Sequence, residues 1–160
     1  MSSTRLVGAA VHVRWMIRRD MPEVLEIERE CFGQGAWTRE DFIRHLRQRN
    51  CIGMVAEHEN LLVGYMVYEL SRRWMLLVRL AVDPGCRGQG VGTTLLDKLK
   101  RKLSAQRRQL IVCPVQETAL DTLRFLHRRG FRAIGLARQA ELDRRDRIVM
   151  VYRQAPGCQA

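Results

Sequence analysis

Two periods of apolar residues run along the chain, and the switches between them mark its elements. "HVRWMIRR" alternates as a first strand does. Asp20 then stands where a helix cap belongs, with Glu23 three residues on as a capping box and Pro22 in the first turn. The helix that follows, "PEVLEIERECF", places Val24, Ile27 and Cys31 on one face. "GQGAW" (Gly33 to Trp37) reads as a loop, and Thr38 caps a second helix, "REDFIRHLRQR", with Phe42, Ile43 and Leu46 as its stripe. "CIGMVAE" and "LLVGYMVYEL" are strands joined by a hairpin turn at "HEN", and "WMLLVRLAV" continues the run. Val91, Leu95, Leu96, Leu99 and Leu103 then recur at a helical period. "QLIVCPV" is a strand, and "TALDTLRFLHRR" is a helix stopped by Gly130, a C′ glycine expected in the left-handed conformation. "FRAIGLARQAEL" and "RIVMVYR" close the chain as strands around a charged turn, "DRRD".

The order is therefore β-α-α-β-β-β-α-β-α-β-β, an α/β chain whose mixed sheet carries helices on both faces in one domain. The length of 160 residues suits one domain with a real core. No run approaches the roughly 18 apolar residues of a membrane span, and "MSSTRLVGAAVHVRW" lacks a secretory h-region. A cytoplasmic protein without membrane attachment is the expectation.

Charge changes the picture more than composition does. Against 28 Lys and Arg stand 17 Asp and Glu, a formal net charge of +11. Such a balance suits a polyanionic partner: RNA, a ribosomal surface or a phosphorylated cofactor. No aromatic-interleaved nucleic-acid motif accompanies it, so nucleic-acid binding is a secondary expectation. The five cysteines (Cys31, Cys51, Cys86, Cys113, Cys158) are widely spaced, with no CxxC pair and no Cys/His spacing of a zinc site. Free thiols and no metal are expected. The sequence leaves the oligomeric state open.

The chemistry concentrates in "VDPGCRGQGVGTT", where Gly85, Gly88, Gly90 and Gly92 fall between the third strand of the hairpin run and the helix that follows. A P-loop would end Gly-Lys-Ser/Thr, and this loop has no lysine. A dinucleotide GxGxxG fingerprint would need glycine where Thr93 stands, and a parallel βαβ unit around it. Arg87-Gly88-Gln89-Gly90-Val91-Gly92 fits a third pattern, R/Q-x-x-G-x-G/A.

That motif resembles the pyrophosphate-binding signature of the GCN5-related N-acetyltransferase (GNAT) family, and the likeness extends over most of the chain, including the "RFLHRRGF" segment and the closing hairpin. The resemblance implies a GNAT fold of about seven mostly antiparallel strands. It implies an N-acetyltransferase domain over residues 11–154, between tails 1–10 and 155–160. It also implies acetyl-CoA as acetyl donor, with no metal. The pyrophosphate would rest on amides of Gly88 to Thr93 beside Arg87, since glycines let backbone approach a ligand and successive N–H groups at a helix start form an anion nest. Strand amides at Leu80, Ala81 and Val82 would polarise the thioester carbonyl. Within the family the chain looks most like the bacterial enzymes that acetylate the N-terminal alanine of a small-subunit ribosomal protein, through Trp37-Thr38 and the spacing to Gly130-Phe131. A protein N-terminus is then the implied acceptor, with "GQGAW" and the stretch Glu141 to Asp146 as walls of specificity.

The chain departs from that subgroup at its acid and base. Counting back from Phe131, the family's tyrosine falls on Leu126, its glutamate on Pro114 and its asparagine on Ala119. Glu117, in the turn beyond Pro114, is the candidate catalytic substitute, with a loop carboxylate or cap as its ordinary reading. His127 adjoins the tyrosine place but is turned by about 100° from it. Tyr65, Tyr68 and Tyr152 read as strand packing, and Cys113 as a buried thiol. Three functions follow: an acetyltransferase acting on a primary amine; a degenerate member that binds CoA or a partner without turnover; and a basic RNA- or ribosome-binding module.

Overall fold

Among the described residues, seven strands and four helices appear in the expected order. They are β1 His12–Trp15, α1 Met21–Phe32, α2 Arg39–Leu46, β2 Cys51–His58, β3 Leu61–Leu70, β4 Trp74–Val82, α3 Val91–Ala105, β5 Leu110–Gln116, α4 Leu120–Arg128, β6 Arg132–Ala137 and β7 Arg147–Arg153. This computed structural model describes residues 5–8, 10–105, 108–138 and 145–155; Cys158, half of the "DRRD" turn and most of the Glu141 to Asp146 stretch lie outside them. The strand order is β1-β2-β3-β4-β5-β7-β6. β4 and β5 are parallel, while β1–β2, β2–β3, β5–β7 and β6–β7 are antiparallel. No helix of the described residues is long and apolar enough to cross a membrane. The chain divides into two compact units, Met1–Glu69 with Arg79–Leu99, and Leu70–Val78 with Lys100–Ala160.

In the first unit, β2 and β3 turn at Glu59 and Asn60, whose φ values of 49° and 67° are both left-handed. A two-residue turn of that hand matches the right-handed twist of the strands it joins. Both strands are buried along nearly their whole length, as a strand covered on both faces must be. Gly64 sits in β3 because a Cβ there would lie 2.9 Å from the Ala81 carbonyl oxygen and 3.1 Å from Val91. Val91, Leu95, Leu96 and Leu99 are all buried, so the period read from the sequence is the packed face of α3.

Three details of this unit differ from the sequence reading. The first strand ends at Trp15, short of the "MIRR" that the alternation included. Asp20 does not cap α1: a short 3₁₀ turn, Arg18–Asp20, runs directly into the helix, and Asp20 is already helical at φ −76°. Its carboxylate instead accepts two bonds from the Arg14 guanidinium, at 2.8 and 2.9 Å, and one from the Ile17 amide at 2.8 Å. Two bonds to a guanidinium, with its full charge, outweigh a single bond to a backbone amide, so the ion pair takes the side chain. Glu23 likewise closes no capping box; it accepts from the Leu62 amide. Thr38 does cap α2, and Asp41 returns the bond to complete a box.

The second unit is built on β7, which pairs β5 from Leu110↔Arg153 to Gln116↔Arg147 and β6 on its other side. All six residues of β6 are exposed, with a register shift between Ala133 and Gly135, as suits an edge strand. The parallel ladder between β4 and β5 covers Trp74–Leu76 and Leu110–Val112, so Pro114, which has no N–H to give, falls beyond it. α4 ends as expected: Gly130 has φ 92°, and the Phe131 amide returns to the Leu126 carbonyl at 3.0 Å. Lys100 donates to the Arg129 carbonyl at 2.6 Å and stands 4.3 Å over the Tyr152 ring.

Candidate functional site

The glycine loop of the first unit grows out of the end of β4. Leu80 and Val82 are half-buried on either side of buried Ala81, which is the alternation of a strand. The Asp83 amide donates to the Val63 carbonyl at 2.9 Å, and its carboxylate accepts from the Gly85 amide at 2.8 Å. That side-chain bond and Pro84 end the strand and start a 3₁₀ turn, Pro84–Cys86. Gly88 and Gly90 then adopt φ of 73° and 86°, on either side of Gln89. A Cβ built on either glycine would meet nothing within 4 Å, so the space above the loop is open.

α3 begins at Val91, and the Thr94 amide and hydroxyl both close on the Gly90 carbonyl. An α-helix leaves the amides of its first turn without acceptors inside the helix, and here that turn holds Val91, Gly92 and Thr93 and no acidic residue. Two left-handed glycines, open space above them and a helix start free of acid make a cradle that fits an anionic phosphate. Gln89 faces the chain's own start, its Oε1 accepting from the Leu6 amide at 2.7 Å.

Arg87 does not reach out over the loop. Its guanidinium folds back to the Val82 carbonyl (3.4 Å) and the Cys31 sulfur (3.2 Å), and the Cys31 thiol donates to the same carbonyl at 3.3 Å. Burial pushes the Cys31 thiol up from its ordinary pKa, against the pull of Arg87.

A second cluster, which the sequence reading missed, lies at the end of α1 in the same unit. The Glu28 carboxylate is wholly buried and accepts from the Trp37 amide (2.8 Å), from Arg79 Nη2 (2.7 Å) and from the Tyr65 hydroxyl. Burial pushes its carboxyl above the usual range, opposed by the Trp37 amide and the Arg79 charge. Arg79, on β4 next to Leu80, also donates to the Gly35 carbonyl at 2.8 Å and lies 4.1 Å over Phe32 and 4.8 Å over Trp37. Trp37 stacks on His45 at 4.2 Å and meets Phe42 edge-on at 5.2 Å. "GQGAW" is therefore a 3₁₀ turn, Gly33–Gly35, held at three points by one buried ion pair. Tyr65 packs in its strand as expected, and its hydroxyl serves this cluster besides.

In the second unit, Glu117 is exposed in the turn after β5, where its amide donates to the Asp146 carbonyl. Leu126 is 1% exposed, a core residue of its unit. Cys113 is buried with its thiol pushed up to about 12, the inert thiol expected.

A model of the acetyltransferase (GNAT) family matches residues 21–131. An uncharacterized N-acetyltransferase of Methanocaldococcus jannaschii is 30% identical over 151 residues, which cover 89% of this chain and 91% of that one. Solved structures share the fold at lower identity. The Ard1 protein of Thermoplasma volcanium superposes with a TM-score of 0.81 at 21% identity, over 92% of this chain and 99% of its own. The ribosomal-protein-S18-alanine N-acetyltransferase of Escherichia coli gives 0.78 at 17%, over 94% and 99%. Arabidopsis thaliana Naa50, in complex with the bisubstrate analogue CoA-Ac-MVNAL, gives 0.74 at 16%, over 89% and 98%.

Proposed function

Because the chain belongs to the acetyltransferase (GNAT) family and is an acetyl-CoA-dependent N-acetyltransferase by that membership, we propose that its acceptor is the α-amine of a protein N-terminus. One observation carries this reading: the places that the resemblance gives to a catalytic glutamate and tyrosine hold Pro114 and Leu126. An α-amine has a pKa of roughly 7.7–8.0 and is partly neutral near pH 7.5, whereas a lysine side chain sits at about 10.4. An enzyme without a dedicated base retains the first acceptor and loses most of the second. Two proteins of the same fold act on, or hold, such acceptors: one is a ribosomal-protein-S18-alanine acetyltransferase, the other is complexed with a peptide bisubstrate analogue.

Acetyl-CoA supplies the acetyl thioester. The chain's share is to bind and orient. Amides of Gly88 to Thr93 hold the pyrophosphate at the α3 start, and amides of Leu80, Ala81 and Val82 face the acyl carbonyl. The clamped turn at Gly33 to Trp37 forms a wall for the peptide. Catalysis then rests on proximity and polarisation, with the amine arriving already neutral. The net charge of +11 suits an acceptor carried on an anionic ribonucleoprotein surface.

The test pairs calorimetry of acetyl-CoA binding with thiol release in the same sample. An Ala-starting peptide should release CoA thiol, at a rate that rises through roughly pH 7.7–8.0. A peptide with a blocked N-terminus and a free lysine should release little. Preference for the lysine peptide would overturn the acceptor; binding without any release would favour a CoA-binding protein without turnover.

A further inference from the structure

We propose that His45, Cys51 and Glu69 form a binding site for one borderline divalent transition-metal ion, zinc above all. The three come from separate elements of the first unit: the last turn of α2, the first residue of β2 and the end of β3. Cys51 and Glu69 are register partners across the β2–β3 ladder, so their side chains share one face of the sheet. One imidazole nitrogen of His45, Cys51 Sγ and a Glu69 carboxylate oxygen all lie within 4.8 Å of one another. In a tetrahedral zinc site, bond lengths of about 2.0–2.3 Å put neighbouring ligand atoms roughly 3.3–3.6 Å apart. Closing from 4.8 Å takes at most about 1.2–1.5 Å of side-chain movement, and His45 Nδ1 and Glu69 Oε1 already stand at 3.7 Å.

The donors are what such a cation selects: one imidazole, one thiol and one carboxylate, with the fourth position left to water. His45 Nδ1 is closed off from solvent and has no hydrogen-bond partner. Its ionic neighbour, Glu69 Oε1, stands 3.7 Å away, beyond hydrogen-bond range. Buried polar atoms without partners are rare, and this one belongs to a ring grouped with two other metal-binding side chains. Cys51 is 7% exposed, while the His45 and Glu69 side chains keep 30% and 23% of their surface, so an ion can enter from their side. On binding, the Cys51 thiol gives its proton to solvent and coordinates as thiolate. The ion would fix the imidazole on which Trp37 stacks, joining α2 to the base of the β2–β3 hairpin. Positions 45, 51 and 69 match no sequence spacing of a zinc motif, because the sheet register, not a local turn, brings them together.

The test uses the full chain, freed of metal with a chelator under reducing conditions and titrated with cobalt(II), then zinc. The wild type should take up one cobalt per chain with a thiolate-to-cobalt charge-transfer band that zinc displaces. Cys51→Ser, close in size, should lose the band, and Glu69→Gln should bind at least about tenfold more weakly. Cys31→Ser should keep both. Circular dichroism of each apo variant confirms that it is folded. No saturable uptake by the wild type at micromolar metal, or an undiminished band in Cys51→Ser, would overturn the site.

Discussion

Removing the Arg79 side chain tests whether one ion pair holds the turn at Gly33 to Trp37. Arg79→Met keeps the length and apolar stem and takes away, among other contacts, the bonds to Glu28 and to the Gly35 carbonyl. Glu28 then stays at 0% exposure with the Trp37 amide and the Tyr65 hydroxyl but no counter-charge. Breaking a buried pair from one side costs about 3–5 kcal/mol, since the remaining charge has no water. At a urea slope of about 2 kcal/mol/M, the unfolding midpoint should fall by roughly 2 M. Glu28→Gln is milder, because Arg79 keeps 18% of its side-chain surface, the Gly35 carbonyl and two ring faces. Once the arginine is gone, Glu28→Gln should cost little or even restore stability, so the double variant should fall short of the sum by about 1–3 kcal/mol. If the turn is the peptide wall, Arg79→Met should also raise KM for an Ala-starting peptide and leave acetyl-CoA affinity near its original value. Singles that add to within about 0.5 kcal/mol would refute the coupling.

Two further outcomes follow from the same unit. Gly90→Val places a β-branched residue at φ 86°, a strain of roughly 1–2 kcal/mol, in space now open above the loop. Calorimetry should show acetyl-CoA affinity lost from a protein that still melts cooperatively; unchanged affinity would remove the pyrophosphate from this loop. Although burial opposes it, the Arg14 guanidinium and the Ile17 amide hold the Asp20 carboxyl below its ordinary value. A depressed carboxyl stabilises the fold above its unfolded pKa and ceases to as pH falls through the folded one. Asp20→Asn should therefore lower the melting temperature at neutral pH, and the gap from wild type should close below about pH 4; a pH-independent gap would refute the ionic account.

Much of the fold was legible because local signals and packing agreed. The α3 face from Val91 to Leu103, the Thr38 cap, the Gly130 stop and the "HEN" turn each have a local cause that nothing distant overrides. Asp20 departs from the cap that its position suggests because the competing partner, Arg14, lies on β1 and makes two bonds from a charged group where a cap makes one. The glycine loop was legible for the same reason as α3: positive φ and a helix start are written in adjacent residues. Glu28 and Arg79 were not, although the signal existed. Val24, Ile27, Glu28 and Cys31 stand at i, i+3, i+4 and i+7, which puts the glutamate on the buried face of α1. Arg79 interrupts the apolar run "WMLLVRLAV". A carboxylate on a core face and a lone arginine in a buried strand each demand a partner, and each supplies the other's.

The two halves of the chemistry have fared differently in this chain. The loop that the resemblance assigns to a phosphorylated donor keeps the features such a role needs: two left-handed glycines, an open cradle and a helix start without acid. What the resemblance assigns to proton transfer is replaced by Pro114 and by Leu126, which is buried in its unit's core. Positioned acid–base groups are worth about 10²–10⁴-fold each, and alignment of two reactants can supply roughly 7–11 kcal/mol by itself. An enzyme that keeps the second contribution and drops the first retains turnover only for an amine that is neutral on arrival and a leaving group that departs as a tolerable anion. A thiolate meets the second condition and an N-terminal α-amine the first. On the proposed reading, the substitutions narrow the acceptor: the fewer protons the enzyme moves, the more its substrate must have a pKa near that of the medium.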